Sequence, residues 1–205
     1  MAVEVPVLQF KPTEPVNLLQ MIEAQARRLI EVGVHKKVGI DDAKFLDDAM
    51  AKAKEFVYSM KLANLGLNRV CLIHYGVSDR FLCEVGGVSM WSDPDKFTSL
   101  KGVVVPDGLQ VIQCQFGLAH LNTKPRDFRA NHHLPEIPGI AKEGLTAFLY
   151  WGKKLLEECN MDFPGSHSKY GYVPYLHLYH EYPALHTLND RHAGPDFGSV
   201  ARGSI

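Results

Sequence analysis

Apolar residues recur at every third or fourth position in three stretches of the chain, residues 13–33, 41–60 and 140–159. This spacing places the apolar side chains on one face of a helix, where they can pack against a core. Thr13 can cap the first helix at its start, and Gly33 can end it because glycine accepts the left-handed backbone conformation. We therefore predict three amphipathic helices. In the third helix the apolar stripe consists of Leu145, Phe148, Leu149, Leu155 and Leu156.

Between the helices the pattern changes to short apolar runs and to alternation of apolar and polar residues, which are typical of strands. Pro106, Asp107 and Gly108 separate two of these runs and favour a hairpin, because proline presets one backbone angle and glycine permits the positive one. The polar stretch 122–139 contains prolines and predicts a long loop. The predicted strands cover residues 69–75, 81–85, 102–105, 109–119, 173–182 and 184–188.

The order of these elements predicts an α+β fold, with a mixed or mainly antiparallel sheet of about five or six strands packed against three helices. A regular alternation of strands and helices is missing, which argues against a doubly wound sheet. Residues 1–12 contain Pro6 and Pro12, and residues 190–205 carry little apolar content, so we expect extended N-terminal and C-terminal arms. A single domain then covers residues 13–189.

The composition of the 205 residues is that of an ordinary globular protein, with 46% hydrophobic and 22% charged residues. Lys and Arg number 22 against 23 Asp and Glu, so the chain lacks the global basic charge expected of a nucleic-acid-binding protein. No stretch reaches the ~20 apolar residues of a membrane span, and residues 1–6 lack the basic start and apolar core of a signal peptide. The sequence therefore predicts a soluble, cytoplasmic protein without membrane association. The four cysteines form no CxxC pair, which predicts free, buried thiols.

Eight of the ten histidines lie between residues 120 and 192, and imidazole is the commonest ligand of transition metals in proteins. His177 and Glu181 alternate onto the same face of the predicted strand 173–182. Residues four apart on a straight strand lie ~13 Å apart, so a shared metal requires the strand to bend. Two histidines and one carboxylate can bind zinc or iron, although the spacing matches no zinc signature. The alternatives are that these histidines make ordinary hydrogen bonds or that they act as acid–base groups without a metal. The candidates for the third ligand are His186, His132 and His133.

The predicted loop also combines two arginines, two histidines and the aromatic ring of Phe128. Arginine forks and aromatic faces suit the recognition of phosphate groups or bases. The alternative is a solvated loop, in which Asp127 pairs with one arginine and fixes the shape of the backbone. The candidate binding residues are Arg126, Arg129, His132 and His133.

No sequence motif assigns a reaction to this chain. Its glycines form neither a phosphate-binding loop nor a nucleophile elbow of the GxSxG type. We therefore expect a non-catalytic binding or assembly protein, which contacts a protein partner or a second copy of itself through its terminal arms and the loop 122–139. The alternative is a metal-dependent enzyme with a histidine and carboxylate site in its C-terminal half, for which zinc or iron would be the cofactor.

Overall fold

The computed structural model describes residues 15–59, 69–131, 136–157 and 159–203. Among these residues, no helix is long and apolar enough to cross a membrane. The helices are α1 (Pro15–Glu31), α2 (Val34–Lys37), α3 (Asp42–Ser59), α4 (Asp79–Gly86), α5 (Pro125–Asn131), α6 (Ala141–Trp151) and α7 (Lys154–Glu157). The strands are β1 (Arg69–His74), β2 (Ser89–Met90), β3 (Thr98–Ser99), β4 (Leu109–Leu121), β5 (Glu136–Pro138), β6 (Asn160–Asp162), β7 (Ser166–His167), β8 (Val173–Tyr179), β9 (Tyr182–Leu188) and β10 (Phe197–Gly203).

Eight of the strands form one mixed sheet, in which the order is β1-β4-β10-β6-β8-β9-β2 and β5 pairs with β10. Most neighbouring strands are antiparallel, whereas β10 and β6, and β2 and β9, run parallel. β3 and β7 form a separate two-stranded sheet. The predicted α+β class and the mixed character of the sheet are therefore confirmed. The described part of the chain holds more strands and more helices than the sequence pattern predicts.

Helices cover one face of this sheet and enclose the main hydrophobic core. α6 packs against β1 and β8, α7 packs against β8, and α4 packs against α6. Leu176 of β8, Leu185 of β9 and Val200 of β10 belong to the same buried cluster as Leu149 of α6. Gly152, whose φ is 56°, ends α6 and divides the predicted third helix into α6 and α7.

The side chain of Gln25 closes one edge of the sheet. Gln25 lies on α1, which packs against α3 and β1. Its Nε2 atom donates a hydrogen bond of 3.0 Å to the carbonyl oxygen of Val70, and its Oε1 atom accepts one of 2.8 Å from the backbone nitrogen of Leu72. The hydroxyl of Tyr150 also donates to the Leu72 carbonyl. The amide of Gln25 thus occupies the position that a further strand would take beside β1.

Residues 81–85, which the pattern predicts as a strand, form most of α4. The hydroxyl oxygen of Ser78 accepts a hydrogen bond of 3.2 Å from the backbone nitrogen of Phe81 and caps the helix. Leu82 and Cys83 are buried, while Glu84 is exposed. A short apolar run is compatible with a buried strand and with a helix face, and the serine cap favours the helix.

The hairpin predicted around Gly108 is also wrong, because residues 102–105 form no strand. β4 pairs instead with β1 and β10. Gly108 does have the positive φ that the turn chemistry predicts, at 62°. Its carbonyl oxygen accepts a hydrogen bond of 2.8 Å from the backbone nitrogen of Tyr75, so this glycine extends the pairing of β1 with β4.

The segment 190–205, predicted as an arm, contributes β10 to the middle of the sheet. Backbones approach closely at Gly198, where a Cβ atom would lie 2.3 Å from the carbonyl oxygen of Gly117. Residues 197–203 pair with β4, β5 and β6 and are not an arm, so the prediction is corrected. The predicted N-terminal arm, residues 1–12, lies outside the described residues. The residues of β10 that are at most 1% exposed include Val200, Ala201 and Arg202.

Candidate functional site

The sheet presents a second face, opposite the helix-covered one, at the end formed by β8 and β9. Leu176 of β8 points into the core, so strand alternation directs its neighbours Tyr175 and His177 to the opposite face. His186 lies directly across from Tyr175 in the pairing of β8 with β9 and shares that face. Trp91, which follows β2, packs against these side chains. We call this surface the ring face, and its members are Trp91, Tyr175, His177, Tyr179 and His186.

Trp91 lies at the centre of the ring face. Its ring centroid is 4.4 Å from that of Tyr179, 5.6 Å from that of His186 and 5.9 Å from that of His177. The corresponding interplanar angles are 68°, 81° and 82°, so all three contacts are edge-to-face. Aromatic pairs prefer this geometry, and each contributes about 0.5–1.5 kcal/mol beyond the burial of its area. Trp91 is nevertheless 50% exposed, so half of a firmly held indole faces outward.

Tyr175 extends the ring face toward β10. Its ring centroid lies 4.8 Å from that of His177 and 5.7 Å from that of His186. On its other side, the ring of Phe197 lies 5.2 Å away, and the ring of His192 lies 4.9 Å from that of Phe197. Aromatic and imidazole rings therefore form a continuous surface that runs from β9 across to β10.

Asp162 is buried beside the ring face. Strand register places Ser199, Asp162, Tyr175 and His186 in one row across four strands. The Ser199 hydroxyl donates a hydrogen bond of 2.8 Å to Oδ1 of Asp162, and Oδ2 has no hydrogen-bond partner among the described residues. Burial raises the pKa of Asp162 to about 7, against the lowering effects of the Ser199 hydrogen bond and the Arg129 charge. The carboxyl group is therefore divided between its neutral and ionised forms near neutral pH.

The structure brings together two of the predicted metal ligands. His177 and His186 share the ring face, and both contact Trp91. Glu181 does not continue the strand: His180 and Glu181 have φ angles of 46° and 67° and form the two-residue turn between β8 and β9. Positive φ at both residues is the geometry of a type I′ hairpin turn. Within the described ranges, no group of three or more His, Cys, Asp or Glu side chains could hold a metal ion.

The two imidazoles of the ring face have different surroundings. Burial lowers the pKa of His177, and the nearby His186 lowers it further. The Nε2 atom of His177 has no hydrogen-bond partner in the part of the chain that the structure describes. Nδ1 of His186 lies 2.9 Å from the carbonyl oxygen of Thr187. His132 and His133, the other predicted ligands, lie outside the described residues.

Arg126 and Arg129 lie on α5, a helix within the segment that the pattern predicts as a loop. Arg129 donates hydrogen bonds of 2.6 Å to the carbonyl oxygen of Pro164 and of 3.3 Å to that of Ser166. Its side chain is only 16% exposed and lies 3.5 Å from the carboxylate of Asp190, so its contacts fix the segment that follows β6. Arg126 is exposed and lies 3.3 Å from the carboxylate of Asp127.

A buried ion pair that the sequence pattern does not reveal joins α6 to β10. Nε of Arg202 lies 2.9 Å from Oε1 of Glu143, and both side chains are at most 1% exposed. The Tyr75 hydroxyl donates to the same carboxylate oxygen at 2.8 Å, and the backbone nitrogen of Ile140 donates to the other at 2.9 Å. Burial raises the pKa of Glu143 to about 6, although the Arg202 charge opposes this shift. Both carboxylate oxygens are bonded within the protein, so the pair serves the fold.

A cleft of about 230 Å³ lies beside the start of α6 and is lined in part by Asp79, Lys142 and Ser166. Nζ of Lys142 donates to the carbonyl oxygen of Val77 and lies 3.4 Å from the carboxylate of Asp79. The Ser166 hydroxyl oxygen accepts a hydrogen bond of 3.1 Å from the backbone nitrogen of Ala141. These polar groups already have partners within the protein. The ring face, whose largest ring is half exposed, is therefore the stronger candidate for recognition.

Trp91 is the central site residue, and the sequence pattern does not identify it. Its neighbourhood has weak periodicity, and β2 is only two residues long. The sequence does place this large aromatic residue beside the polar pair Ser92 and Asp93, which favours an exposed position for its ring. Exposed apolar groups mark interaction surfaces. The chain matches no protein-family model, no curated protein and no solved structure.

Proposed function

We propose that this protein is a non-catalytic assembly protein whose copies associate through the ring face. The proposal rests on Trp91, which three other rings hold in place while half of its surface is exposed. Tryptophan and tyrosine are among the residues that most often dominate the binding energy of protein interfaces. Exposure of so large an apolar side chain does not stabilise a monomer, whereas an interface that covers it gains the free energy of burial.

The polarity of the ring face supports a protein partner. The face contains no Lys, Arg, Asp or Glu side chain, and burial, together with His186, lowers the pKa of His177 and favours its neutral form. The cores of protein interfaces are likewise depleted of charge and enriched in Trp and Tyr. The chain as a whole has 22 basic and 23 acidic residues, so it carries no excess of positive charge for a nucleic-acid backbone.

The rigidity of the ring face also favours binding. Edge-to-face contacts with Tyr179, His177 and His186 fix the orientation of Trp91 before a partner arrives. Side chains that are already ordered lose little rotamer freedom on association, so more of the contact energy appears as affinity. Tyrosine hydroxyls and imidazole nitrogens at the margin of the face can hydrogen-bond to a partner's backbone.

The test is the mass of the protein in solution, measured by light scattering over a wide range of concentration. We expect the wild-type chain to exceed its monomer mass of 22.9 kDa and to approach that mass on dilution. Trp91→Ala should remain monomeric at concentrations where wild type associates. Tyr58→Ala is the matched control, because Tyr58 is an aromatic residue of α3 that is 89% exposed and lies outside the ring face.

Circular dichroism on both variants separates loss of association from loss of folding. A folded Trp91→Ala protein that associates as wild type does would contradict the proposal. A wild-type chain that has the monomer mass at every concentration would contradict it as well.

A metal-dependent enzyme is the second candidate function. It is favoured by the placement of His177 and His186 on one face, with Nε2 of His177 unpartnered among the described residues. A further ligand would have to come from elsewhere, and His132 and His133 are the predicted sources. Metal analysis of purified wild type and of His177→Ala by mass spectrometry tests this function, and equal metal content in the two proteins would exclude a site at His177.

A further inference from the structure

We infer that the ring face of each copy binds residues 1–12 of a second copy. This inference rests on the proposed assembly function and adds the identity of the segment that covers Trp91. Among the described residues, no helix contacts β9 as closely as α6 and α7 contact the opposite side of β8. The 14 residues that precede α1 lie outside the described residues.

The chemistry of this segment is complementary to the ring face. Its sequence, Met-Ala-Val-Glu-Val-Pro-Val-Leu-Gln-Phe-Lys-Pro, carries apolar side chains on both sides of Pro6 and balances one acidic residue with one basic residue. Proline-containing segments bind aromatic-lined surfaces because proline restricts the backbone to an extended form and reduces the entropy lost on binding. Uncharged rings such as Trp91 and Tyr179 can pack against proline, Leu8 and Phe10.

The start of the segment and the ring face lie toward opposite ends of the sheet. The segment precedes α1, which packs beside β1 at one edge of the sheet, whereas the ring face lies on β8 and β9. β1 and β8 are separated by four strand spacings of about 4.8 Å, or about 19 Å. Twelve extended residues reach about 40 Å, so a segment bound to its own ring face would spend about half of its length crossing the sheet. In a symmetric dimer each copy gives one segment and receives one, and the assembly is closed.

Substitutions within the full-length chain test the role of the segment. Leu8→Ala combined with Phe10→Ala should weaken dimerisation at least about tenfold, because these residues supply most of the large apolar surface that would cover Trp91. Glu4→Ala combined with Lys11→Ala is the matched control, since it changes the same segment and keeps the apolar side chains. The control should leave the dissociation constant within about twofold of wild type, as expected for charges at the margin of an interface.

A mixing experiment shows whether the contact is made between copies. The Trp91→Ala chain retains its segment and lacks an intact face, whereas the Leu8→Ala, Phe10→Ala chain retains its face and lacks an intact segment. At a concentration where wild type dimerises and each variant alone is monomeric, a mixture of the two should form dimers that contain one restored contact. A synthetic peptide of residues 1–12 should also dissociate wild-type dimers and change the fluorescence of Trp91, and the fluorescence change should be absent in Trp91→Ala.

The outcomes distinguish this inference from the proposed function. If Trp91→Ala abolishes dimers while the Leu8→Ala, Phe10→Ala chain and the peptide have no effect, two ring faces meet directly. The assembly function then stands and this inference is wrong. If Trp91→Ala dimerises as wild type does, the assembly function itself is wrong. Mixed variants that stay monomeric would also overturn the exchange of segments between copies.

Discussion

The two faces of β8 differ in what they contribute to the protein, although they alternate along one seven-residue strand. Leu176 is fully buried in the core that α6 covers, while Tyr175 and His177 on the other face are only partly buried and contact other rings. Substitutions on the core face should mainly change the free energy of unfolding. Substitutions on the ring face should mainly change association. If the ring face binds a partner as proposed, one strand carries stability and recognition separately, because its side chains alternate between two environments.

The largest loss of stability is expected on the core side, for Arg202→Ala. Removal of the guanidinium leaves the buried carboxylate of Glu143 without its counter-charge, and breaking a buried pair in this way costs about 3–5 kcal/mol. Urea denaturation should show this decrease in the free energy of unfolding. Arg126→Ala, which removes an exposed arginine of α5, is the control and should change stability by less than about 0.5 kcal/mol.

Leu149→Ala sharpens the comparison between the two faces. Leu149 is 4% exposed and belongs to the main core, so its truncation should cost about 2–5 kcal/mol through lost burial and a cavity. Trp91→Ala removes a larger side chain from the ring face, yet it should cost less, because half of that side chain is already exposed. The denaturation midpoints of the two variants measure these two losses of stability. An equal or larger loss of stability for Trp91→Ala would show that the ring face is part of the core.

Asp162→Asn tests whether the carboxyl group that is buried beside the ring face makes the stability of the protein depend on pH. Burial raises the folded-state pKa of Asp162 from 3.8 to about 7. Ionisation is therefore less favourable in the folded protein, so this group lowers stability progressively as pH rises from about 4 to about 7 and keeps it low above that range. Asparagine removes the charge, so the variant should be more stable than wild type at pH 8, by an amount on the order of a few kcal/mol.

The advantage of Asp162→Asn should shrink as the pH falls toward 4. Thermal denaturation across this pH range measures the difference in stability between the variant and wild type. The buried Glu143 is present in both proteins, so its own pH dependence does not contribute to this difference. The exposed Asp47→Asn substitution on α3 is the control and should retain the wild-type pH profile. A constant difference between Asp162→Asn and wild type would mean that the carboxyl group is not buried as the structure has it.

The smallest effect is expected at the turn that ends the ring face. Glu181 has a φ of 67°, a conformation that is unfavourable for residues with a Cβ atom and favourable for glycine. Glu181→Gly should therefore raise stability by about 0.5–1 kcal/mol. Glu181→Ala should give no such gain, because alanine has the same backbone restriction. A loss of stability in Glu181→Gly would instead place residue 181 on a strand.

The elements that the sequence predicts best are those whose signals are local. α1 and α3 have apolar stripes at helical spacing, and the predicted strands 173–182 and 184–188 correspond to β8 and β9. β10 was missed because its stability comes from distant partners: Ser199 pairs with Asp162, and the close approach at Gly198 requires a residue without a side chain. Such packing leaves no apolar pattern in the segment itself.

The candidate site was predictable only in part, for the same reason. The proximity of His177 and His186 follows from a hairpin that the sequence indicates. The position of Trp91 depends on the parallel pairing of the two residues of β2 with β9, which no local pattern specifies. The turn at His180 and Glu181 lacks the glycine or asparagine that usually marks a positive φ, so Glu181 was assigned to the strand.

The amide of Gln25 has a consequence for aggregation. An uncovered strand edge is a template on which other chains can add strands, and extended addition of this kind leads to fibrils. By binding the Val70 carbonyl and the Leu72 amide, Gln25 occupies hydrogen-bonding groups on β1 that an incoming strand would need. If the chain assembles as proposed, each copy is surrounded by others at high local concentration. Protection of β1 would therefore disfavour the addition of strands at this edge.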